Sequence, residues 1–453
     1  MDAPVAVEEP SAEPKAPTLS TARIFAFYRP LALSWLLMAV ESPISVGIIA
    51  RRPDPELHTA AFLIMMSLSL WIESPVIDLL ATATTLGRDH ASYRVLRRFV
   101  GYTMAFVTLV HGAIVYTPLY PIVTEKLLST PPDVAAAARP GLMILLFWSA
   151  CIGWRRYLQG IMIRFGATKF VGRGTMVRLV TLTTVGLTLH FTTKLDGIVL
   201  TACSLACSVF SEALYATWAS RRVIQTMPET EPGSPPLGLR RLMAFHWPLS
   251  ATTMLVLISN PIVSQALAQS PNPKSAMASW QVAAATVWLL RTAAYALPEV
   301  VIALYQPGEI EARLRRFCVM MGMVTSGTLF AVHAVGLDDW VFRRLLDVEA
   351  SLIRHARLAF LLCGLLPMIG ALQSYVRGML TAHHLTTSRL WAIAVGLFTL
   401  LATLRLGVGM QWTGVVTAAA AMTTSLLAEL AVLAYAWRQG RAKLNRDVEA
   451  IPA

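Results

Sequence analysis

The sequence predicts an all-α polytopic membrane protein, with twelve transmembrane helices in two parallel six-helix repeats. Three observations lead there. Of 453 residues, 55% are hydrophobic and only 14% are charged, with a mean hydropathy of +0.58, which no water-facing fold requires. Apolar runs of about 20 residues, the length that crosses roughly 30 Å of hydrocarbon, recur along the whole chain. The stretch from Phe245 to Tyr305, which holds two such runs each interrupted by proline, has a counterpart that begins at Phe27.

The two copies align without a gap at a separation of 218 residues. Phe27, Pro30 and Leu31 fall on Phe245, Pro248 and Leu249; Pro43 and Ile44 fall on Pro261 and Ile262; Pro53 and Pro55 fall on Pro271 and Pro273. Further on, Leu96, Arg97, Arg98 and Phe99 land on Leu314, Arg315, Arg316 and Phe317, and Arg139 on Arg357. Tyr157, Gly160 and Thr168 land on Tyr375, Gly378 and Thr386, and one slip near the end sets Glu212 opposite Glu429. Isolated identities are cheap in apolar sequence, but paired prolines and four consecutive matches with two arginines are not, so the duplication is real.

Run length and breaker residues place the helices near 24–49, 59–81, 97–119, 137–162, 175–191, 197–220, 243–267, 276–304, 315–336, 353–380, 389–408 and 412–437. Residues 1–22, acidic and rich in proline, are expected to be a disordered tail without the basic start of a signal peptide. The first bundle then covers 23–225, a linker of prolines, glycines and acids covers 226–238, the second bundle covers 239–440, and 441–453 form a C-terminal tail. Six crossings per repeat give both copies one orientation, so their symmetry axis runs along the membrane normal.

The face that holds both termini carries 26 of the 38 Lys and Arg residues and the opposite face 11, with Arg291 inside the membrane. The positive-inside rule makes the first face cytoplasmic, in an inner or plasma membrane. The net charge of +12 therefore meets anionic lipid head groups, and no nucleic-acid partner is predicted. Cys151, Cys203, Cys207, Cys318 and Cys363 lie in or beside apolar runs without a CxxC pair and read as small buried hydrophobes.

Charges at membrane depth are costly, so each is a functional candidate: Glu41, Glu73, Asp78, Glu212, Arg291, Glu299 and Glu429. Glu73 and Arg291 occupy equivalent positions with opposite sign and are expected to approach each other across the axis, as a pair that substrate or a proton breaks or as a permanent ion pair. Glu41 precedes Ser42-Pro43, where proline bends the helix, and Asn260-Pro261 is the matching site; broken helices of this kind place ligands and hinges. Glu212 and Glu429 are expected to pair with nearby loop arginines. The basic segment from Trp154 to Arg178 reads as a loop on the positive face, and His383-His384 as solvated loop residues. No Walker loop, GxSxG or HExxH motif occurs, and no cofactor or metal is predicted.

The stretch RRLMAFHWPLSATTMLVLISNPIVSQALA, 240–268, resembles the seventh helix of the progressive ankylosis (ANK) transporters. SLWIESPVID, 69–78, is similar to their second helix, and the Tyr157–Gly160 and Tyr375–Gly378 segments match in placement. The resemblance implies the MATE-like fold of the multidrug and lipid-linked-oligosaccharide flippases and export of an organic anion such as citrate or a nucleotide. On that basis the chain is expected to be a monomeric secondary transporter, not an enzyme, with a cleft lined by helices one, two, seven and eight. Arg291, Glu73, Asn260 and Glu41 would bind substrate, and Glu73, Asp78 and Glu299 the coupling ion. A flippase for a lipid-linked substrate and a membrane-embedded transferase are the alternatives; the transferase needs a cluster of acids or histidines at one face, which the sequence lacks.

Overall fold

The computed structural model describes residues 20–230, 236–306, 309–383 and 387–449. Most of the predicted N-terminal tail, part of the linker, His384 and residues 450–453 lie outside the described residues. The chain runs through α1 (Thr21–Ala50), α2 (Pro55–Leu86), α3 (His90–Tyr116), α4 (Pro132–Arg164), α5 (Thr168–Thr192) and α6 (Gly197–Gln225). The second series is α7 (Leu239–Ala268), α8 (Pro273–Leu304), α9 (Glu309–Ala334), α10 (Ala350–Ala382), α11 (Thr387–Gly409) and α12 (Gly414–Glu449). Among the described residues, eleven helices are long and apolar enough to cross a membrane; α5, whose threonines, His190 and Arg178 lower its hydropathy, is the remaining long one.

Several helices outrun their predicted bounds because polar residues cap or extend them. Asp89 accepts from the Ser92 backbone N–H at 2.7 Å while the Ser92 hydroxyl accepts from the Asp89 N–H, so α3 starts at His90. The last helix continues to Glu449, through the segment assigned to a tail. The basic segment from Trp154 to Arg178 is not a loop: it forms the end of α4 and the start of α5, joined by three residues. Arg155 and Arg178 are buried there, because acids on neighbouring helices offset their charge.

The backbone repeats with the same 218-residue period as the sequence. α1 bends at Val40 and α7 at Ile258; α2 bends at Asp78 and α8 over Thr292–Ala296; α4 tightens at Leu145–Phe147 and α10 at Cys363. Pro43 and Pro261 sit in the first turn after the α1 and α7 bends, where a missing N–H costs no helical bond. Left-handed Asp54 and Asn272 precede α2 and α8, each followed by a proline that starts the helix, and left-handed Ser129 and Asp347 recur in the same way. Asp and Asn tolerate positive φ better than branched residues do, which suits them to these turns.

Packing follows the same rule. α2 packs on α4, α4 on α6 and α5 on α6; α8 packs on α10, α10 on α12 and α11 on α12. α1, α2, α7 and α8 meet at the seam between repeats, where α2 packs directly on α8. The first half of α1 leans on α8 and α9, and that of α7 on α2. Tyr28 donates to the Ala293 carbonyl at 3.0 Å and sets its ring edge-on to Phe317; its register partner His246 bonds the Pro75 carbonyl at 3.0 Å and stands edge-on to Phe99. A carbonyl only accepts, so in the neutral ring His246 Nε2 donates and Nδ1 takes the Thr82 hydroxyl, 2.9 Å away.

Close helix contact within each repeat depends on a matched glycine. A Cβ on Gly160 would lie 2.5 Å from the Leu80 carbonyl oxygen, and one on Gly378 would lie 2.7 Å from Val301 Cβ. Gly160→Leu and Gly378→Leu should each destabilise the protein by about 1–3 kcal/mol through overpacking. Gly172→Leu, at a position with open space around it, should leave thermal unfolding in detergent unchanged.

Candidate functional site

The first repeat encloses a chain of charges at membrane depth. Arg155 Nη1 on α4 donates to Glu212 Oε1 on α6 at 3.0 Å, and Gln159, one turn along α4, donates to the same oxygen at 3.2 Å. Arg178 on α5 grips Glu41 on α1 with two bonds, Nε to Oε1 at 3.1 Å and Nη2 to Oε2 at 2.5 Å, and its Nη1 lies 3.8 Å from Glu212 Oε2. Such fork-to-fork pairing fixes both side chains, so one arginine ties α1, α5 and α6 together.

Glu73 on α2 extends the cluster. Its carboxyl is buried, makes no hydrogen bond among the described residues, and lies in the field of Arg155, Arg178, Arg156 and Glu41. Asp78, at the bend of α2, faces Thr253 of α7 across the seam and lies in the field of Arg156. With every group ionised, Glu41, Glu73, Asp78 and Glu212 oppose Arg155, Arg156 and Arg178, which leaves one negative charge uncompensated. In a medium of low dielectric an excess charge draws in a counter-ion or a proton.

The second repeat keeps half of this arrangement. Glu429 on α12 accepts from Arg377 Nη2 and lies 3.4 Å from Gln373 Nε2 on α10. Gln373 holds the register of Arg155 and Arg377 that of Gln159, so arginine and glutamine have exchanged places one turn apart. The Glu41–Arg178 pair has no counterpart: Ser259 and Gly396 stand at those positions, and Gly396 lies directly against Glu429.

The predicted site residues therefore divide. Glu41, Glu73 and Asp78 belong to one cluster, with Glu41 held by Arg178. Glu73 and Arg291 do not meet: no ion pair or hydrogen bond joins them among the described residues, and the charges around Glu73 all come from its own repeat. The Cys363 thiol of α10 lies in the field of Arg291, so the arginine stands near its own repeat's fourth helix. Arg291 is half-buried and has no ion pair or hydrogen bond among the described residues, on a stretch of α8 where Trp288 and Tyr295 pack at 5.3 Å and Trp35 of α1 packs on Tyr295 at 5.4 Å. Asn260 starts the second segment of α7, its carbonyl bonded by Ser264 at 3.0 Å, and Glu299 is exposed in the last segment of α8. Glu212 and Glu429 pair with helical arginines rather than loop ones.

On the face opposite the basic one, the repeats are latched together at matched positions. Arg51 after α1 donates to the Leu345 carbonyl at 2.8 Å and lies 4.0 Å from Asp347. Its register partner Gln269 after α7 donates to Ser129 at 2.9 Å, and Gln265 to the Leu127 carbonyl at 2.7 Å. Lys274 pairs with Asp133 across the same face.

This architecture is that of the MATE-type membrane transporters. The chain is similar to an inward-facing multidrug-resistance MATE family transporter of the MOP superfamily, with 12% identity over 94% of this chain and 99% of that one and a TM-score of 0.65. It is similar to an outward-facing one, with 14% identity over 94% and 97% and a TM-score of 0.61. A Pyrococcus furiosus MOP superfamily transporter, described as having a binding pocket of reverse polarity that suggests a different function, matches with 13% identity over 93% and 95% and a TM-score of 0.61. No protein-family model matches the sequence, and no curated protein matches it.

Removing Arg155 takes from Glu212 its closest cation and leaves it Gln159 and the more distant Arg178. Arg155→Ala should cost about 3–5 kcal/mol, as loss of one partner of a buried pair does. The exchange Arg155→Gln with Gln159→Arg, which copies the second repeat, should restore most of that stability in thermal unfolding.

Proposed function

We propose that this protein is a secondary transporter that exports an organic anion by alternating access, with one cation or proton bound to the first repeat per cycle. The observation that carries the reading is the buried cluster with one carboxylate in excess, in which Glu73 has no hydrogen-bond partner. A site one charge short of neutral, beside the bend at Asp78 and the Thr253 contact across the seam, suits an ion whose binding shifts the repeats relative to each other. Asp78 shares that ion, and Glu299, exposed on the last segment of α8, is the acid that would meet it on the second repeat. The unpaired Arg291, with Trp288 and Tyr295 beside it, supplies a cation and flat apolar walls for the organic anion, and Asn260 adds a polar contact at the bend of α7.

The fold supports the same cycle. Inward-facing and outward-facing states are both described among its structural neighbours, and the matched latches hold the face opposite the basic one closed. The excess of Lys and Arg on the other face supports a reading in which both termini are cytoplasmic and the latched face is outside. A single chain supplies both halves of the seam, which suits a monomer.

In proteoliposomes, Arg291→Ala should abolish uptake of radiolabelled citrate or nucleotide driven by an ion gradient, and normal flux would remove Arg291 from the mechanism. Glu73→Gln should leave anion exchange between the two sides intact while ending accumulation against a gradient; retained accumulation places the ion elsewhere. Ser129→Cys with Gln269→Cys should halt flux on oxidation and recover it on reduction, because opening must separate these positions.

A further inference from the structure

On its lipid-facing side the first repeat carries a cavity of about 450 Å³ lined by Met104, Phe147, Cys151, Trp154, Phe210 and Leu214. Its origin is topological. α3 and α6 both pack on α4 but make no substantial contact with each other, so they form the two walls of a groove whose floor is α4. Ala150 and Cys151 keep that floor low, and Trp154 Nε1 donates to Thr217 at 2.8 Å, which satisfies the polar groups within it. What remains is an apolar slot at membrane depth.

The slot has a basic end. Arg97 lies seven residues before Met104 on the same face of α3, about 10 Å toward the positive face, and Arg221 lies four residues past Thr217 on α6, about 6 Å the same way. Both are exposed, and neither makes an ion pair or hydrogen bond among the described residues. Between Arg97 and Met104, Gly101 leaves the wall open, with nothing near the position of a Cβ. Exposed Trp218 stands beside Arg221, where an amphipathic ring suits the interface between hydrocarbon and head groups.

The second repeat has the arginines without the slot. Arg315 and Arg438 hold the registers of Arg97 and Arg221, but Met368 replaces Ala150 and Gly322 replaces Met104. A Cβ on Gly322 would lie 2.6 Å from Met368 Sδ and 3.0 Å from Ala371 Cβ, so α9 closes onto α10 and fills the space. The fold does not require the groove; residues particular to the first repeat make it.

We infer that the groove between α3 and α6 holds one acyl chain of an anionic phospholipid, with its phosphate between Arg97 and Arg221. Charge complementarity selects the head group, while the apolar floor takes the chain. Arginine, with its planar array of donors, suits a phosphate oxygen pair.

Native mass spectrometry of the full chain, released from detergent with equal amounts of phosphatidylglycerol and phosphatidylcholine, tests this. The unaltered protein should retain phosphatidylglycerol with about a thirty-fold preference, from two arginines at the surface. Arg97→Gln with Arg221→Gln should remove that preference, and Ala150→Met should reduce retention of both lipids. Gly101→Leu, at an exposed position with free space, narrows the same slot and stands in if Ala150→Met does not fold. Equal retention of the two lipids by the unaltered protein would overturn the site. So would unchanged retention in the folded groove variants, or an equal loss in Arg315→Gln with Arg438→Gln, which would mean diffuse attraction to the basic face.

Discussion

Neutralising charge away from water is the constraint on which this structure depends. Glu212 is fully buried, and the pairing of Arg155 and Arg178 around it decides how α1, α4, α5 and α6 pack. An isolated carboxylate or guanidinium in hydrocarbon costs several kcal/mol, whereas a pair with further hydrogen bonds recovers much of that cost. Arg178 meets the requirement twice, through Glu41 and Glu212, which makes α5 tolerable as a membrane helix despite its low hydropathy.

The same constraint separates the two repeats. Each keeps one glutamate on its last helix and an arginine–glutamine couple on its fourth, with the order reversed, so charge is conserved while geometry changes. The second repeat stops there. The first adds Glu41, Arg178, Glu73, Asp78 and Arg156, so four carboxyl groups stand against three arginines. Duplication supplies two similar scaffolds; divergence at a few buried positions specialises one of them. The groove on α4 follows the same pattern, since a short exchange of Ala150 for Met368 and Met104 for Gly322 separates an open slot from a filled one.

The seam shows how a duplicated chain forms one body. Tyr28 and His246 differ chemically yet perform the same task, each bonding a backbone carbonyl near a helix break and resting on a phenylalanine of the opposite repeat. Latches on the far face obey the same register. Because broken helices free carbonyls that lipid cannot satisfy, the breaks dictate where the opposite repeat must come close.

Local chemistry decided what could be read from the chain alone. Apolar run length, the prolines at 43 and 261 and the constant offset determined the helices, the bends of α1 and α7 and the two-repeat plan, because those depend on hydrocarbon thickness and backbone geometry that a short window carries. The same window placed Glu41, Glu73 and Asp78 at membrane depth, but not which cations they meet. Arg155 and Arg178 read as loop residues, since a run of basic residues looks alike whether it faces water or buried acids from helices far off in sequence. Glu73 and Arg291 share a register, yet register gives no partner, and the charges near Glu73 come from its own repeat. Pairing across 57 or 137 residues depends on how helices pack in three dimensions, so only the tertiary structure could assign it.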